Sequence, residues 1–227
     1  MLSAPVAFIA YDLLEENGID IRNLPQDERR TKLELLFQKV DNHEFFQLSK
    51  ILQGSNWNEL KELHQQAREN VAEGFMLKNK TGPYLAGRKK GNWWKWKVDP
   101  LSVDAVLIYA QKGHGRRAEL YTDYTFAVWD EQKKLVPFAK AYSGLTDQEI
   151  GQVDHFIKNN TLEKFGPVRT VTPKLVFEIG FEGINESTRH KSGIAVRFPR
   201  ILRWRKDKSV QDADSLITLK QILENFR

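Results

Sequence analysis

An α+β chain built in two parts is the fold that the sequence predicts. Three observations carry it: two segments of helical periodicity in the first hundred residues, a succession of short β-prone runs after Asp99-Pro100, and one capped helical segment set among those runs. With 227 residues and 41% hydrophobic composition, there is material for one large core or two small ones.

The string VAFIAYDLL, Val6 to Leu14, is apolar and rich in strand formers, and it reads as a buried strand followed by the Asn17-Gly18 turn signal. Asp27 to Val40 reads as an amphipathic helix. Leu33, Leu36 and Val40 share one face behind an acidic first turn, with Pro25 upstream. A second helix fits Asn56 to Val71, with Trp57, Leu60, Leu63, Ala67 and Val71 as its stripe and Asn56 with Glu59 at capping-box spacing. Gly74 to Lys78 and Asn92 to Val98 read as strands joined by a Gly/Pro-containing loop, and Asp99-Pro100 interrupts the pattern. The domains are therefore expected over 1–99 and 100–227. In the second, Val103 to Tyr109, Glu119 to Trp129 and Leu135 to Tyr142 are strand candidates. Thr146 caps a helix to Asn160 with Glu149 in the capping-box position and Ile150, Val153, Phe156 and Ile157 on its apolar face. Strands resume from Lys174 to Ile184, and a last helix starts near Asp214 or Ser215 and carries Leu216, Leu219 and Leu223. A β-barrel with one inserted helix is the oligonucleotide-binding (OB) architecture.

The charge distribution is more telling than the net +5. Residues 78–97 carry seven Lys or Arg and no acid, and residues 189–208 carry eight with Asp207 as their one acid, whereas the rest of the chain is net acidic. Both windows also contain Trp, so a phosphate-rich ligand fits them better than two solvated faces do. Zero Cys removes disulfides, thiol nucleophiles and thiolate metal sites. The five His show no paired metal-ligand spacing, and there is no Gly-x-Ser-x-Gly elbow. His64 and His155 are expected to serve packing or surface roles. No run approaches a membrane span, and the start carries no signal-peptide pattern, so a cytoplasmic protein without membrane partners is expected.

Two glycine motifs fail on inspection. Gly113-His-Gly115-Arg-Arg-Ala118 matches a dinucleotide fingerprint in letters, but the β-prone segment after it is no helix, so it reads as a basic hairpin loop. Gly82 to Lys89 has P-loop glycine spacing but Arg88 and Lys89 where lysine and a hydroxyl are required. Trp93-Trp-Lys95-Trp-Lys97 carries more. Strand alternation sends Lys95 and Lys97 to one face, where two converging ammonium groups call for an anion such as phosphate. Glu73, at the mouth of the neighbouring strand, suits a Mg²⁺ beside that phosphate.

Taken in order along the chain, Phe8-Ile-Ala-Tyr11-Asp12-Leu-Leu14, Glu73-Gly-Phe-Met-Leu-Lys78, Trp94-Lys95-Trp-Lys97 and Arg197-Phe-Pro-Arg200-Ile-Leu-Arg203-Trp-Arg205-Lys-Asp207-Lys208 resemble motifs IIIa, IV, V and VI of the ATP-dependent DNA ligases, above all the bacterial ligase B group. The resemblance implies the C-terminal portion of a nucleotidyltransferase (ATP-grasp-like) domain followed by an OB-fold. It implies that Tyr11 stacks on adenine, that Glu73 serves Mg²⁺, that Lys95 and Lys97 contact nucleotide phosphate, and that Arg205, Asp207 and Lys208 approach the ATP pyrophosphate. Asp99 falls at the family hinge. Nicked duplex DNA is the implied substrate, with Arg88, Lys89, Lys90, Arg116, Arg117, Arg197, Arg200 and Arg203 as candidate DNA contacts. The implied reaction runs through enzyme-AMP and DNA-adenylate. A monomer acting with a helicase and a nuclease, whose genes neighbour those of this group, is the implied setting.

One departure stands out. The family's nucleophilic Lys-x-Asp-Gly and its following glutamate motif occur nowhere in the 227 residues. Both belong upstream of Tyr11, so the chain resembles the C-terminal part of a ligase and is not expected to self-adenylate. A noncatalytic nucleic-acid-binding module is the alternative of a different class. An RNA ligase or capping nucleotidyltransferase fits the last motif less well.

Overall fold

The computed structural model describes residues 6–39, 45–69 and 72–226. The chain divides into two compact units, Met1–Val98 and Asp99–Arg227.

In the first unit, β1 (Phe8–Ala10) is shorter than the strand expected from Val6 to Leu14, and it is not buried: Phe8 and Ile9 are exposed, and Ala10 alone of the three faces inward. Asp12 ends it. Its carboxylate takes the Leu13 N–H and turns toward helix α1, so the run cannot stay extended. β2 (Glu15–Glu16) and β3 (Ile19–Asp20) form a small hairpin around Asn17-Gly18, both at positive φ as a tight two-residue turn demands. Helix α1 (Gln26–Phe37) opens after Pro25 and buries Leu33 and, unexpectedly, Arg29; Leu36 is exposed and Val40 lies outside the described residues. β4 (Phe46–Leu48), not anticipated from the sequence, pairs in parallel with β1. Helix α2 (Trp57–Gln65) is capped by Asn56, whose side chain accepts the N–H groups of Asn58 and Glu59. It ends earlier than the expected stripe, with Ala67 buried beyond it and Val71 outside the described residues. β5 (Gly74–Lys78) and β6 (Trp93–Lys97) form where the sequence predicts strands, and they pair antiparallel.

This unit has little core. Among the described residues, Ala10, Ile21, Leu33 and Ala67 are its buried apolar side chains, while Phe8, Ile9, Phe46, Ile51 and Trp57 are exposed.

The second unit is built on β7 (Leu101–Lys112), whose length lets it serve three partners. β8 (Tyr121–Trp129) pairs along one edge and continues to β9 (Leu135–Ala141). Helix α3 (Asp147–Asn159) then interrupts the strands, with the Thr146–Glu149 capping box complete and Ile150, Val153 and Ile157 buried. β10 (Thr161–Phe165) and β11 (Val168–Val171) return as a hairpin, and β11 takes the far end of the other edge of β7. β12 (Val176–Phe181) takes the near end and pairs outward with β15 (Arg200–Trp204). The run predicted from Lys174 to Ile184 breaks at Glu182, after which β13 (Gly183–Glu186) pairs with β14 (Ile194–Arg197). Register shifts in β7–β8 and β8–β9 curl this antiparallel sheet, and the Ile201 N–H donates to Ser143 O to bring β15 toward the β9 end. The basic Gly113–Ala118 segment is the β7–β8 connection, with one 3₁₀ turn and no helix to receive a pyrophosphate.

Helix α4 (Leu216–Phe226) closes the unit and buries Leu219 and Leu223 in a core that includes Leu107, Phe126, Phe177, Ile179 and Phe181. No helix among the described residues is long and apolar enough to cross a membrane. Phe177 is the hub of this core, 5.5 Å from both the Phe126 and the Trp204 rings. Phe177→Ala is expected to cost about 3–5 kcal/mol, read as a lower midpoint for the second unit in urea unfolding followed by far-UV circular dichroism.

Candidate functional site

Pairing of β5 with β6 sets Lys78 opposite Trp93, Met76 opposite Lys95 and Gly74 opposite Lys97, so these residues share one face while Phe75, Leu77, Trp94 and Trp96 take the other. The second face is fixed by aromatic contacts. His64 stacks on Trp96 at 4.2 Å and 11°, and its Nε2–H donates to the Trp96 carbonyl at 3.0 Å. Trp57 meets the same indole edge-on at 5.9 Å. His64 is thus a packing residue, as expected from its place on a helix.

On the first face, Tyr11 leaves the end of β1 and meets Trp93 edge-on at 6.1 Å, while Tyr84 meets Trp93 at 5.2 Å. Lys78 donates to the Tyr11 carbonyl at 3.1 Å and sets its ammonium over both rings, 4.7 Å from Tyr11 and 4.3 Å from Trp93. Burial pushes the Lys78 ammonium below its ordinary value, with Asp12 pulling the other way. Tyr84, chiefly, raises the Tyr11 phenol. Half of the Tyr11 ring remains exposed. At the other end of the face, Lys97 lies 3.5 Å from Glu73, so the anion beside this lysine is the chain's own carboxylate. Lys95 is exposed.

What holds Tyr11 in place is a contact that the sequence reading missed. Arg29 is fully buried and grips Asp12, the next residue, through two hydrogen bonds of 2.9 and 3.0 Å. It also donates to the Leu24 and Gly82 carbonyls and lies 5.9 Å from the Tyr84 ring. One guanidinium therefore ties β1, α1 and the β5–β6 loop together. The signal was legible: Arg29 falls on the Leu33–Leu36 stripe, where a charge requires a partner. Arg88, Lys89 and Lys90 are exposed on that loop, beside a cavity of about 160 Å³ lined in part by Tyr84, Lys89 and Trp93.

In the second unit, Arg200, Arg203, Arg205 and Lys208 of the basic window meet acids from distant segments. Arg200 meets Glu182 at 2.7 Å and Arg203 meets Glu178 at 2.6 Å. Arg205 lies 2.8 Å from Asp104 and 2.7 Å from Asp207, and Lys208 lies 2.5 Å from Asp104. Arg205 holds the Asp207 carboxyl at about 2, well below the ordinary carboxylate range. Arg197 is exposed with its guanidinium 5.3 Å from the Phe198 ring, and Phe198 carries φ 52°. Arg117 pairs with Asp147 at 2.7 Å; the side chain of Arg116 lies outside the described set. Among the described residues, no cluster of three or more His, Cys, Asp or Glu could hold a metal ion. Glu73 therefore fits a Mg²⁺ only in the way one carboxylate can, with substrate oxygens and waters completing the shell.

Comparison with known proteins follows the same two parts. The model of the ATP dependent DNA ligase domain matches residues 1–97, and that of the ATP dependent DNA ligase C terminal region matches residues 117–208. A probable DNA ligase of Koribacter versatilis is 36% identical over 96% of this chain and 41% of its own length. A DNA ligase of Methanococcus aeolicus is 35% identical over 90% of this chain and 36% of its own. The chain thus spans about two fifths of the curated relatives it matches. Among solved structures, a Lig E DNA ligase superposes with a TM-score of 0.60 at 20% identity, covering 88% of this chain and 63% of that one, and so shares the nucleotidyltransferase and OB folds.

Two outcomes follow from this geometry. A Cβ on Gly74 would lie 2.1 Å from the Trp96 carbonyl oxygen at φ +128°, so Gly74→Ala is expected to cost about 2 kcal/mol or more and to shift the tryptophan emission of β6 to the red. Because the folded value of Asp207 is depressed, its pairing with Arg205 is fully present above the ordinary carboxylate range and is lost as pH falls toward 2. Carboxyl ¹³C NMR should find this carbon titrating near 2, and a midpoint near 4 would contradict the pairing.

Proposed function

Because this chain belongs to the ATP-dependent DNA ligase family, as its middle and C-terminal domains, we propose that it supplies the phosphate-handling and DNA-gripping part of an enzyme that seals nicks in duplex DNA. The observation that carries this reading is the single hairpin face that runs from Tyr11 and Trp93 through Lys95 to Lys97 and Glu73. A half-exposed aromatic at one end suits a base. Lysines in the middle suit phosphate, and the carboxylate at the far end suits a divalent cation. Phosphoryl transfer asks a protein chiefly for such positioning and for cations matched to developing charge.

In this reading Tyr11 stacks on adenine, with Lys78 backing the ring and Arg29 fixing it through Asp12. Lys95 and Lys97 bind the nucleotide phosphate, and Lys97 leaves Glu73 as a phosphate takes that carboxylate's place. Mg²⁺, held by Glu73, would supply charge neutralisation at the phosphate. Arg205 and Lys208 reach the ATP pyrophosphate during adenylation, with Asp207 aligning Arg205. The exposed cations Arg88, Lys89, Lys90 and Arg197 meet the backbone of nicked duplex DNA, joined by Arg116 and Arg117. Arg200 and Arg203, braced by Glu182 and Glu178, present their remaining edges to it. A cytoplasmic monomer working beside a helicase and a nuclease completes the proposal. The exposed apolar side chains of the first unit are the surface that the rest of a nucleotidyltransferase domain would cover, including the segment that carries the nucleophilic lysine.

The test is sealing of pre-adenylylated nicked DNA with Mg²⁺, a step that does not use that lysine for covalent chemistry. Lys97→Ala and Glu73→Ala are each expected to lower the sealing rate roughly 100-fold. Duplex affinity is expected to fall steeply with salt, in proportion to the phosphates engaged. A flat salt response in fluorescence anisotropy would overturn the assignment of the exposed cations.

A further inference from the structure

Arg205 and Lys208 are the two cations on which the pyrophosphate assignment rests, yet their charges are already met within the second unit. Arg205 commits all three of its nitrogens. Nε and one terminal nitrogen donate to Asp207, at 3.0 and 2.7 Å, and the other terminal nitrogen donates to both oxygens of Asp104, at 3.1 and 2.8 Å. Lys208 donates to the same Asp104 carboxylate at 2.5 Å. Two cations thus face two carboxylates, and the array carries no net charge with which to draw in a phosphate.

The four groups differ in freedom. Asp104 is buried on β7, and its main chain is clasped to Asp214 in both directions: its N–H donates to the Asp214 carboxylate at 2.7 Å, and its carbonyl accepts the Asp214 N–H at 2.8 Å. The main chain that carries its carboxylate is therefore held in place. The Lys208 side chain is about a third exposed, at 31%, against 8% for Asp104, so an incoming anion can meet Lys208 from solvent while Asp104 stays where it is. Arg205 is 15% exposed and braced by Asp207 on its outer side.

We propose that Asp104 is a resident competitor for phosphate: its carboxylate occupies Lys208 and Arg205 in a neutral resting array, and a chain of linked phosphates draws both cations away from it. The inference rests on the reading that these two residues meet pyrophosphate, and adds what they must release to do so. Linked phosphates are favoured as the competing ligand because a pyrophosphate brings more charge and more free oxygens than the one carboxylate that both cations share. A phosphodiester of a DNA backbone carries a single negative charge and so competes less well with the carboxylate. The device gives Lys208 and Arg205 a low affinity for stray anions without removing the charges that the reaction needs.

The experiment is isothermal titration of the full chain with inorganic pyrophosphate, and in a parallel arm with a short nicked duplex. Asp104→Asn keeps the shape and removes the competing charge. It is expected to bind pyrophosphate roughly tenfold more tightly than the unaltered chain, to lose this gain when Lys208→Ala is added, and to bind the duplex as before. If Asp104→Asn binds pyrophosphate no more tightly while Lys208→Ala still weakens binding, the competitor role is wrong and the pyrophosphate reading stands. If Lys208→Ala changes nothing in either background, both fall together. An equal gain toward the duplex would overturn the preference for linked phosphates. Should Asp104→Asn fail to fold, NMR of the unaltered chain decides. Pyrophosphate must then move the Asp104 carboxyl carbon and the Arg205 Nε–H together, and a stationary Asp104 carbon beside a shifted Lys208 would sink the proposal.

Discussion

A cation drawn out of water has to meet a carboxylate, and both units are organised around that requirement. In the first, Arg29 has no exposed surface, so its stability depends on Asp12 and on the two carbonyls it reaches. Meeting that demand turns the chain after β1, fixes the loop between β5 and β6, and leaves Tyr11 facing outward beside Trp93. In the second, Glu178 of β12, Glu182 just beyond it and Asp104 of β7 meet the arginines of β15 and of the residues after it. Here the same demand keeps a strongly basic segment lying flat on its sheet.

These pairings explain how far the sequence could be read. The antiparallel pairing of Gly74–Lys78 with Trp93–Lys97 and the capped helix after Thr146 rest on local signals: strand formers around a Gly/Pro loop, and a threonine with glutamate three residues on. Such signals survive without tertiary information. The first strand was misread because apolar residues from Val6 to Leu14 look like burial, whereas Asp12 is claimed by an arginine 17 residues away. β10, β11, β14 and β15 were not anticipated because polar and charged residues interrupt their alternation, and their stability comes from neighbours far along the chain.

The candidate site divides in the same way. Its residue types and their order were legible, since Lys95, Lys97, Glu73 and Tyr11 stand in short motifs. Its charge state was not. A window count from 189 to 208 sees one acid, Asp207, because the other carboxylates that meet those cations arrive from segments as many as 104 positions earlier. One clue lay open in the sequence: Asp104 stands in the otherwise apolar run from Val103 to Ile108, where an acid without a partner would be costly.

Helix α4 also shapes how the second unit comes to be. Leu219 has no exposed surface and its helix packs against β7 and β13, while Trp129 donates to Val210 and bridges to Ser215. The core begun by β7 therefore stays open to water until more than a hundred further residues have been made. On a ribosome adding about 5–20 residues per second, that is a wait of about 5–20 seconds, with Phe126 uncovered for most of it and Phe177 for the last part. The polar and charged residues that interrupt the later strands weaken their local pairing, and they also keep a nascent sheet from recruiting its neighbours during that interval.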